Sequence, residues 1–402
     1  MSKLEELIKE FCPNGVDYKK LNEVCTFNRG TSITSKDANE GNIPVISGGQ
    51  KPAFYHNVSN RPANTITVAG SGAYAGYVAI WDKPIFCADS FSVDIINEEQ
   101  LNKRYLYHYL LSKQSEIFAK KQGAGIPHVH GKDIASLKIP LPALPVQREI
   151  VRILDSFTLY SAELTAELTA RRKQYEFYRD KLLNFNQQEV EIKKLSDIFD
   201  TRNGYTPSTS NKEYWATNDI PWFRVEDIRA NGRILNDSIQ HVSFSAIKGK
   251  VFPANSIIIS TSATIGEHAL ITCESIANQR FTYLMLKDQY KDKYNIKYLF
   301  YYCFLLADFC RENLQQGSFA SVDMSKFNKF EFPIPPIDVQ ERIVKVLDNF
   351  DAICSDLGIG LPAEIEKRQK QYEYYREKLL TFDGKYATIL TERNGTERNG
   401  QG

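Results

Sequence analysis

The chain has 402 residues, of which 25% are charged and 42% hydrophobic, with 50 Lys and Arg against 49 Asp and Glu. This is ordinary globular composition with length for two or three domains, each able to bury its own core. A net charge of +1 excludes a polycation that binds nucleic acid by composition alone, so any basic surface must be local.

The seven cysteines (Cys12, Cys25, Cys87, Cys273, Cys303, Cys310, Cys354) are odd in number, irregularly spaced and lack a CxxC pair. That argues against a zinc site or a disulfide framework and for a reducing cytoplasm. The N-terminal MSKLEELIKEF lacks the apolar core of a signal peptide, and no apolar run approaches the ~18 residues of a membrane span.

In chain order, residues 1–145 read as a globule. Short β-type runs at 43–46, 65–68, 77–80 and 91–93 are punctuated by Gly, Asn and Pro, followed by an amphipathic helix at about 102–121 and the Gly-rich loop QGAGIPHVHGKD. Residues 146–188 read as one long helix. Its seam (Ile150, Leu154, Phe157, Ser161, Leu164, Leu168, Arg171, Tyr175, Tyr178, Leu182) alternates steps of four and three, the coiled-coil heptad. Forty residues would span about 60 Å.

A second globule occupies 189–336, with β-type runs at 257–260 and 281–284, a helix at about 295–314 and the loop QQGSFASVDMSK. A second helical segment, 337–382, carries Ile343, Leu347, Phe350, Cys354, Leu357, Leu361, Ile365, Arg368, Tyr372, Tyr375 and Leu379 on its seam. The consecutive steps of four through Leu357, Leu361 and Ile365 are a stutter; with Gly358, Gly360 and Pro362 there, a break is expected. Residues 383–402 contain TERNG twice and read as a polar, disordered tail.

The chain repeats itself. VQREIVRILDSF at 146–157 returns as VQERIVKVLDNF at 339–350, an offset of 193; QYEFYRDKLL at 174–183 returns as QYEYYREKLL at 371–380, an offset of 197. Weaker echoes link Tyr18-Lys19-Lys20-Leu21 with Ile192-Lys193-Lys194-Leu195, Asn64 with Asn255, and Lys138-Ile139-Pro140 with Glu331-Phe332-Pro333. Gly76 and Phe91 align with Gly266 and Phe281 at a shared offset of 190. Helices that match closely and globules that match weakly suggest one job kept in common and another performed in two versions; an old duplication with drift is the plainer account. The first globule is entered as if from a helix end, which suggests a pseudo-twofold, near-circular arrangement with the helices antiparallel. The fold class expected is α+β: two globules with twisted β cores separated by two long helices pairing as an antiparallel coiled coil. A plain dimerisation coil is the competing reading, but Ser161 and Arg171 make its seam imperfect.

Residues 161–168, SAELTAEL, form a tandem tetrapeptide. Four residues lengthen a helix by about 6 Å, one to two base-pair steps of ~3.4 Å. As plain sequence it is simply good helix former.

Loops combining Gly, hydroxyl, amide, aromatic and basic residues suit phosphates and base edges, although the surface loops of most proteins look similar. The candidates for DNA contact are Arg29, Gly48, Gly49, Gln50, Lys51, Tyr55, His128 and His130 in the first globule, and Arg202, Tyr205, Thr206, Arg224, Gln279, Arg280 and Ser318 in the second. The candidates for helix pairing and partner docking are Ile150, Leu154, Phe157, Leu164, Leu168, Tyr175, Tyr178, Leu182, Ile343, Leu347, Phe350, Leu357, Tyr372, Tyr375 and Leu379.

Catalytic motifs are not evident. GSGAYAG at 70–76 hints at a dinucleotide loop but lies between two β-type runs, where a tight turn is expected. His128 and His130 form an HxH without an apparent third ligand. There is no P-loop, HExxH or GxSxG, nor the Asn/Asp-Pro-Pro-Tyr/Phe segment of amino-methyltransferases.

The paired helix motifs, each behind a Pro-rich lead (IPLPALP; FPIPPID), resemble the specificity subunits of type I restriction-modification systems over residues 1–382, and the AELT tandem resembles the spacer of their IC branch. The resemblance implies that each globule reads one half of a bipartite target in double-stranded DNA, while the helices set the gap. It implies two methyltransferase subunits docked on the helices, endonuclease/translocase subunits joining them, and S-adenosylmethionine, ATP and Mg bound by those partners rather than by this chain. Two other readings stand beside it: a repressor-like or antitoxin-like DNA scaffold without enzyme partners, and a fused methyltransferase with a degenerate site.

Overall fold

A computed structural model describes residues 2–123, 125–186, 190–315, 320–355 and 358–382. They form two compact units, Met1–Glu163 with Ile365–Gly402 and Leu164–Glu364. Both predicted helical segments are divided between the units.

In the first unit, strands Cys25–Arg29, Ser90–Ile95, Thr65–Ala69 and Val78–Trp81 lie in that order in an antiparallel sheet. Phe54–His56, Ile43–Ile46 and Phe86–Cys87 form a second sheet, and Tyr18–Lys20 pairs with Lys138–Pro140. The second unit repeats the scheme. Phe199–Asn203, Phe281–Leu286, Ser256–Ser260 and His268–Ile271 make the large sheet, with Ile234–Leu235 added at its edge. His241–Val242, Ile220–Phe223 and Ile276–Ala277 make the small one, and Glu191–Lys194 pairs with Glu331–Ile334. The middle strands Thr65–Ala69 and Ser256–Ser260 are buried at every residue, because each has both faces covered. Each is entered through an asparagine in the left-handed region, Asn64 at φ 60° and Asn255 at φ 59°, a conformation Asn tolerates better than most residues.

The register corrects one expected correspondence. Gly30 donates to the Ser90 carbonyl as Gly204 does to that of Phe281, so Phe281 stands where Ser90 stands and Phe91 answers to Thr282. The offset is 190 at Ala88 and Asn278, whose N–H groups bond to Ile46 and Phe223, and 191 from Ser90 and Phe281 onward. The second unit therefore has Gln279-Arg280 where the first has only Asp89.

The helix expected over 102–121 is two helices, Lys103–Ser112 and Gln114–Ala119. The Gln114 side chain is drawn to the sheet edge, accepting from Val78 N at 3.0 Å and donating to Gly76 O at 2.7 Å. Its counterpart, Ile296–Glu312, is unbroken.

Leu144–Leu182 is one helix of 39 residues, whereas the second copy is interrupted, as the stutter predicts, into Ile337–Ser355 and Leu361–Leu380. Within the first unit Phe157 stacks on Tyr375 at 5.3 Å and Arg368 lies over Tyr160. Contacts that run backward along one helix as they advance along the other make the pair antiparallel. Within the second unit Tyr178 stacks on Phe350 at 5.7 Å and Tyr175 approaches the same ring. The two pairings are equivalent: each unit joins a VQ…LDxF block from one helical segment to a QYE…KLL block from the other. Ile150, Leu154, Leu164, Tyr175, Ile343, Leu347, Tyr372 and Leu379 are buried; Phe157, Leu168, Leu182, Phe350 and Tyr375 are partly buried against the cores. Tyr178 is 38% exposed beside its stacking partner, and Leu357 lies outside the described residues.

A buried glutamine joins each globule to its helix. Gln147 accepts from Asn102 N at 2.8 Å and donates to Pro142 O at 2.7 Å; Gln340 accepts from Asn295 N and donates to Pro335 O, both at 2.8 Å. Asn102 and Asn295 in turn N-cap the helices that begin at Lys103 and Ile296. Tyr105 and Tyr298 donate to the Pro140 and Pro333 carbonyls. Asp155 receives Arg104 and His108, while Asp348 receives Lys297 and Tyr301. His108 also meets Tyr372 Oη at 3.0 Å; the corresponding Tyr175 hydroxyl is buried without a hydrogen-bond partner, because the second unit has Tyr301 in place of the histidine.

Truncating Gln340 takes the partner from a backbone N–H and a carbonyl, and truncating Gln147 from an N–H and two carbonyls, those of Gln100 and Pro142. Gln147→Ala and Gln340→Ala are each expected to lower stability by about 1–3 kcal/mol, read as a loss of denaturant midpoint at constant slope. A second prediction concerns His268, which is fully buried with Nδ1 on the Gly266 carbonyl and Nε2 unpartnered. Burial, with Arg233 adding to it, pushes its pKa down to about 3. The native state then refuses a proton that the unfolded chain accepts below pH ~6.5, so this residue costs about 1.4 kcal/mol per pH unit as pH falls from there toward 3. His268→Leu should flatten the acid limb of the stability profile by that slope.

Candidate nucleic-acid interface

The strand ends decide where loops can gather. In the first unit Cys25–Arg29, Ile43–Ile46, Thr65–Ala69 and Phe86–Cys87 all finish at one end, where Ser90–Ile95 begins. The chain leaves that end at Gly30, where a Cβ would sit 2.2 Å from the Ala88 carbonyl oxygen; on Gly204 it would sit 2.4 Å from that of Ala277. Only glycine permits this approach.

In the first unit the loops that follow converge. A Cβ on Gly48 would lie 2.4 Å from Ser71 O, so the 47–52 turn rests on the 70–76 loop. That loop joins two hairpin strands and makes a tight turn, with Gly72 and Gly76 at positive φ. Ser71 bridges to His128, and Val129 N donates to Gly70 O. The His128 and His130 rings stack at 6.0 Å, both exposed, and line a cleft with Arg29, Asp89 and Lys132. Ser71 Oγ donates to the Asp89 carboxylate. Gly49 sits in the 47–52 turn, where Gln50 and Lys51 are exposed. Tyr55, 57% exposed, stands instead on the return strand opposite Pro44.

In the second unit Tyr205 N donates to Ala277 O at 2.7 Å, its hydroxyl accepts from Lys248 N at 2.8 Å, and Trp222 Nε1 donates to its carbonyl. Thr206 Oγ1 donates to the Gln279 side chain. Arg280 is exposed, its backbone tied to Thr261 and to the Asn278 side chain. Arg224 lies over Trp222 at 5.4 Å with its buried Nε unpartnered. Arg202 is committed within the fold: its guanidinium lies 3.8 Å over the Phe252 ring and donates to Lys250 O at 2.7 Å. Ser318 lies outside the described residues.

Sequence reasoning missed Asp89, Lys132, Asn278 and Lys248 in these surroundings. A correct register would have exposed the first of them, since Asp89 faces the place where the copies differ in length. The assembled groups are hydrogen-bond donors and acceptors, cations and ring edges, the inventory for phosphates and base edges. Among the described residues, no group of three or more His, Cys, Asp or Glu side chains is placed to hold a metal ion. Among the described residues, no helix is long and apolar enough to cross a membrane.

A family model described as the type I restriction modification DNA specificity domain matches residues 13–171 and again 187–367. The chain is 33% identical over 414 residues to the type I restriction enzyme EcoR124I/EcoR124II specificity subunit of Escherichia coli, covering 95% of this chain and 97% of that one. It is 54% identical over 214 residues to the EcoprrI specificity subunit of the same species, about half of each chain. Among solved structures, the type I restriction-modification S subunit from M. genitalium superposes with a TM-score of 0.59 at 17% identity, covering 92% of this chain and 97% of that one. A chain from a structure titled for complex assembly and conformational transition of the type I R-M system gives 0.62 at 18%, covering 92% and 99%.

Proposed function

Because the chain belongs to the family of type I restriction-modification specificity subunits, the components of those enzymes that carry no catalytic site, we propose that each of its globules reads one half of a bipartite target in double-stranded DNA. The observation that carries this reading is the unequal fidelity of the repeat. Gln147 and Gln340 are bonded alike within their units, whereas the loop ends differ in sequence and, at Asp89 against Gln279-Arg280, in length. Two readers of one design facing two different sequences would differ in this way.

The first reading surface comprises Arg29, Gln50, Lys51, His128 and His130, and the second Tyr205, Thr206, Arg224, Gln279 and Arg280. Amide and guanidinium forks address base edges; glycine-bound backbone and histidine edges address phosphates. The helical segments fix the gap and dock two methyltransferase subunits, which endonuclease/translocase subunits join. S-adenosylmethionine, ATP and Mg belong to those partners, in the cytoplasm. This chain directs adenine methylation and restriction.

Co-expression with its own methyltransferase subunit in an unmodified host, followed by long-read mapping of methyladenine, tests the reading. The expected motif has two short specified blocks and a fixed gap; no new methylation beside a partner shown to be active would overturn it. Gln50→Ala should relax one block and Arg280→Ala the other. Inserting one further AELT tetrapeptide, about 6 Å of helix, should widen the gap by one or two base pairs.

A further inference from the structure

One place beneath the loop end is built from different side chains in the two units. The backbone of Arg61 pairs with Ile85 as that of Phe252 pairs with Ser275, so Arg61 and Phe252 correspond. Asn28 faces Ser92 in register as Arg202 faces Tyr283. The first unit thus has Asn28, Arg61 and Ser92 where the second has Arg202, Phe252 and Tyr283, and all three positions change together.

In the first unit the guanidinium comes from beside the strand. Arg61 Nε donates to Ser92 Oγ at 2.9 Å, and Nη2 to the carbonyls of Asn28 at 3.2 Å and Arg29 at 3.1 Å. In the second the guanidinium is carried by the strand itself. Arg202 lies on the Phe252 ring, which stacks on Tyr283 at 3.6 Å and 7°. The first cluster works by a planar fork across several acceptors, the second by cation–π and ring stacking. Both grip the last residues before Gly30 and Gly204, where the reading loops leave the sheet.

We propose that these clusters are alternative locks that position the reading loops: Arg61 acts through Arg29 and the residues after it, and Arg202 through Asn203, Tyr205 and Thr206. The assignment rests on the reading of the globules as DNA readers and makes Arg61 and Arg202 positioning residues rather than contacts. A lock of one kind holds only as a set. Phenylalanine alone at position 61 takes the guanidinium donor away from the Asn28, Arg29 and Asn60 carbonyls and the Ser92 hydroxyl, while arginine alone at position 28 meets no ring.

The test uses the full chain with its methyltransferase subunit and the same methyladenine mapping, scored as discrimination at each block separately. Arg61→Lys, which keeps charge but loses the fork, should lower first-block discrimination about tenfold and leave the second block unchanged. Arg202→Lys should do the converse. Arg61→Phe should impair the first block, and the triple variant N28R/R61F/S92Y should recover it by importing the second lock. Undiminished first-block discrimination in Arg61→Lys, equal loss at both blocks, or a triple variant no better than Arg61→Phe would each overturn the assignment. A wild-type chain that directs no two-block methylation would instead remove the underlying reading.

Discussion

A neutral amide, buried twice, is the contact on which the architecture turns. Gln147 and Gln340 are 0% and 1% exposed, and each closes the gap between a helix start and the N-cap of a globule helix. A buried amide with its hydrogen bonds made adds little net stability, yet one left unmade is costly. The glutamine therefore acts mainly on geometry: only one placement of helix against globule satisfies the backbone donor at Asn102 or Asn295 and the proline carbonyl together. The aspartates that follow, Asp155 and Asp348, fix the rotation of the same helix by gathering a cation and a second donor from the globule.

That rigidity explains which parts of the fold were legible in the sequence. The helix blocks repeat because their side chains must satisfy one set of backbone groups in both units, and a motif such as VQ…LDxF is visible without coordinates. The strand runs were visible too, since Thr65–Ala69 and Ser256–Ser260 are apolar or small at every buried position. The pairing of Phe91 with Phe281 failed because two aromatics one residue out of register look like homologues, while the Gly30 and Gly204 hydrogen bonds that set the true register leave no side-chain trace. The split at Lys113 was hidden for a similar reason, since the Gln114 side chain turns away to serve the sheet edge.

Of the candidate reading residues, Gly48, Gln50 and Lys51 in one unit and Tyr205 and Thr206 in the other lie on loops held close to the sheet end by a glycine. Arg202 was chosen for its chemistry, but its chemistry is used inside the fold, on Phe252 and Lys250 O. Charge alone does not separate an arginine that faces a ligand from one that braces a strand. The distinction appears only when the two copies are compared at the same structural position.

The division of both helical segments between the compact units has a consequence for the order of synthesis. The second unit is continuous in the chain, Leu164–Glu364, and every piece of it exists once residue 364 has been made. The first unit has its globule complete early, but Tyr372, Leu379 and Leu380, which fill its core beside Ile150 and Leu154, are among the last described residues to leave the ribosome. Until they arrive, the apolar seam around Phe157 has no mate. The unit begun first is therefore finished last, and the nascent chain carries an open hydrophobic stripe through the making of its entire second half.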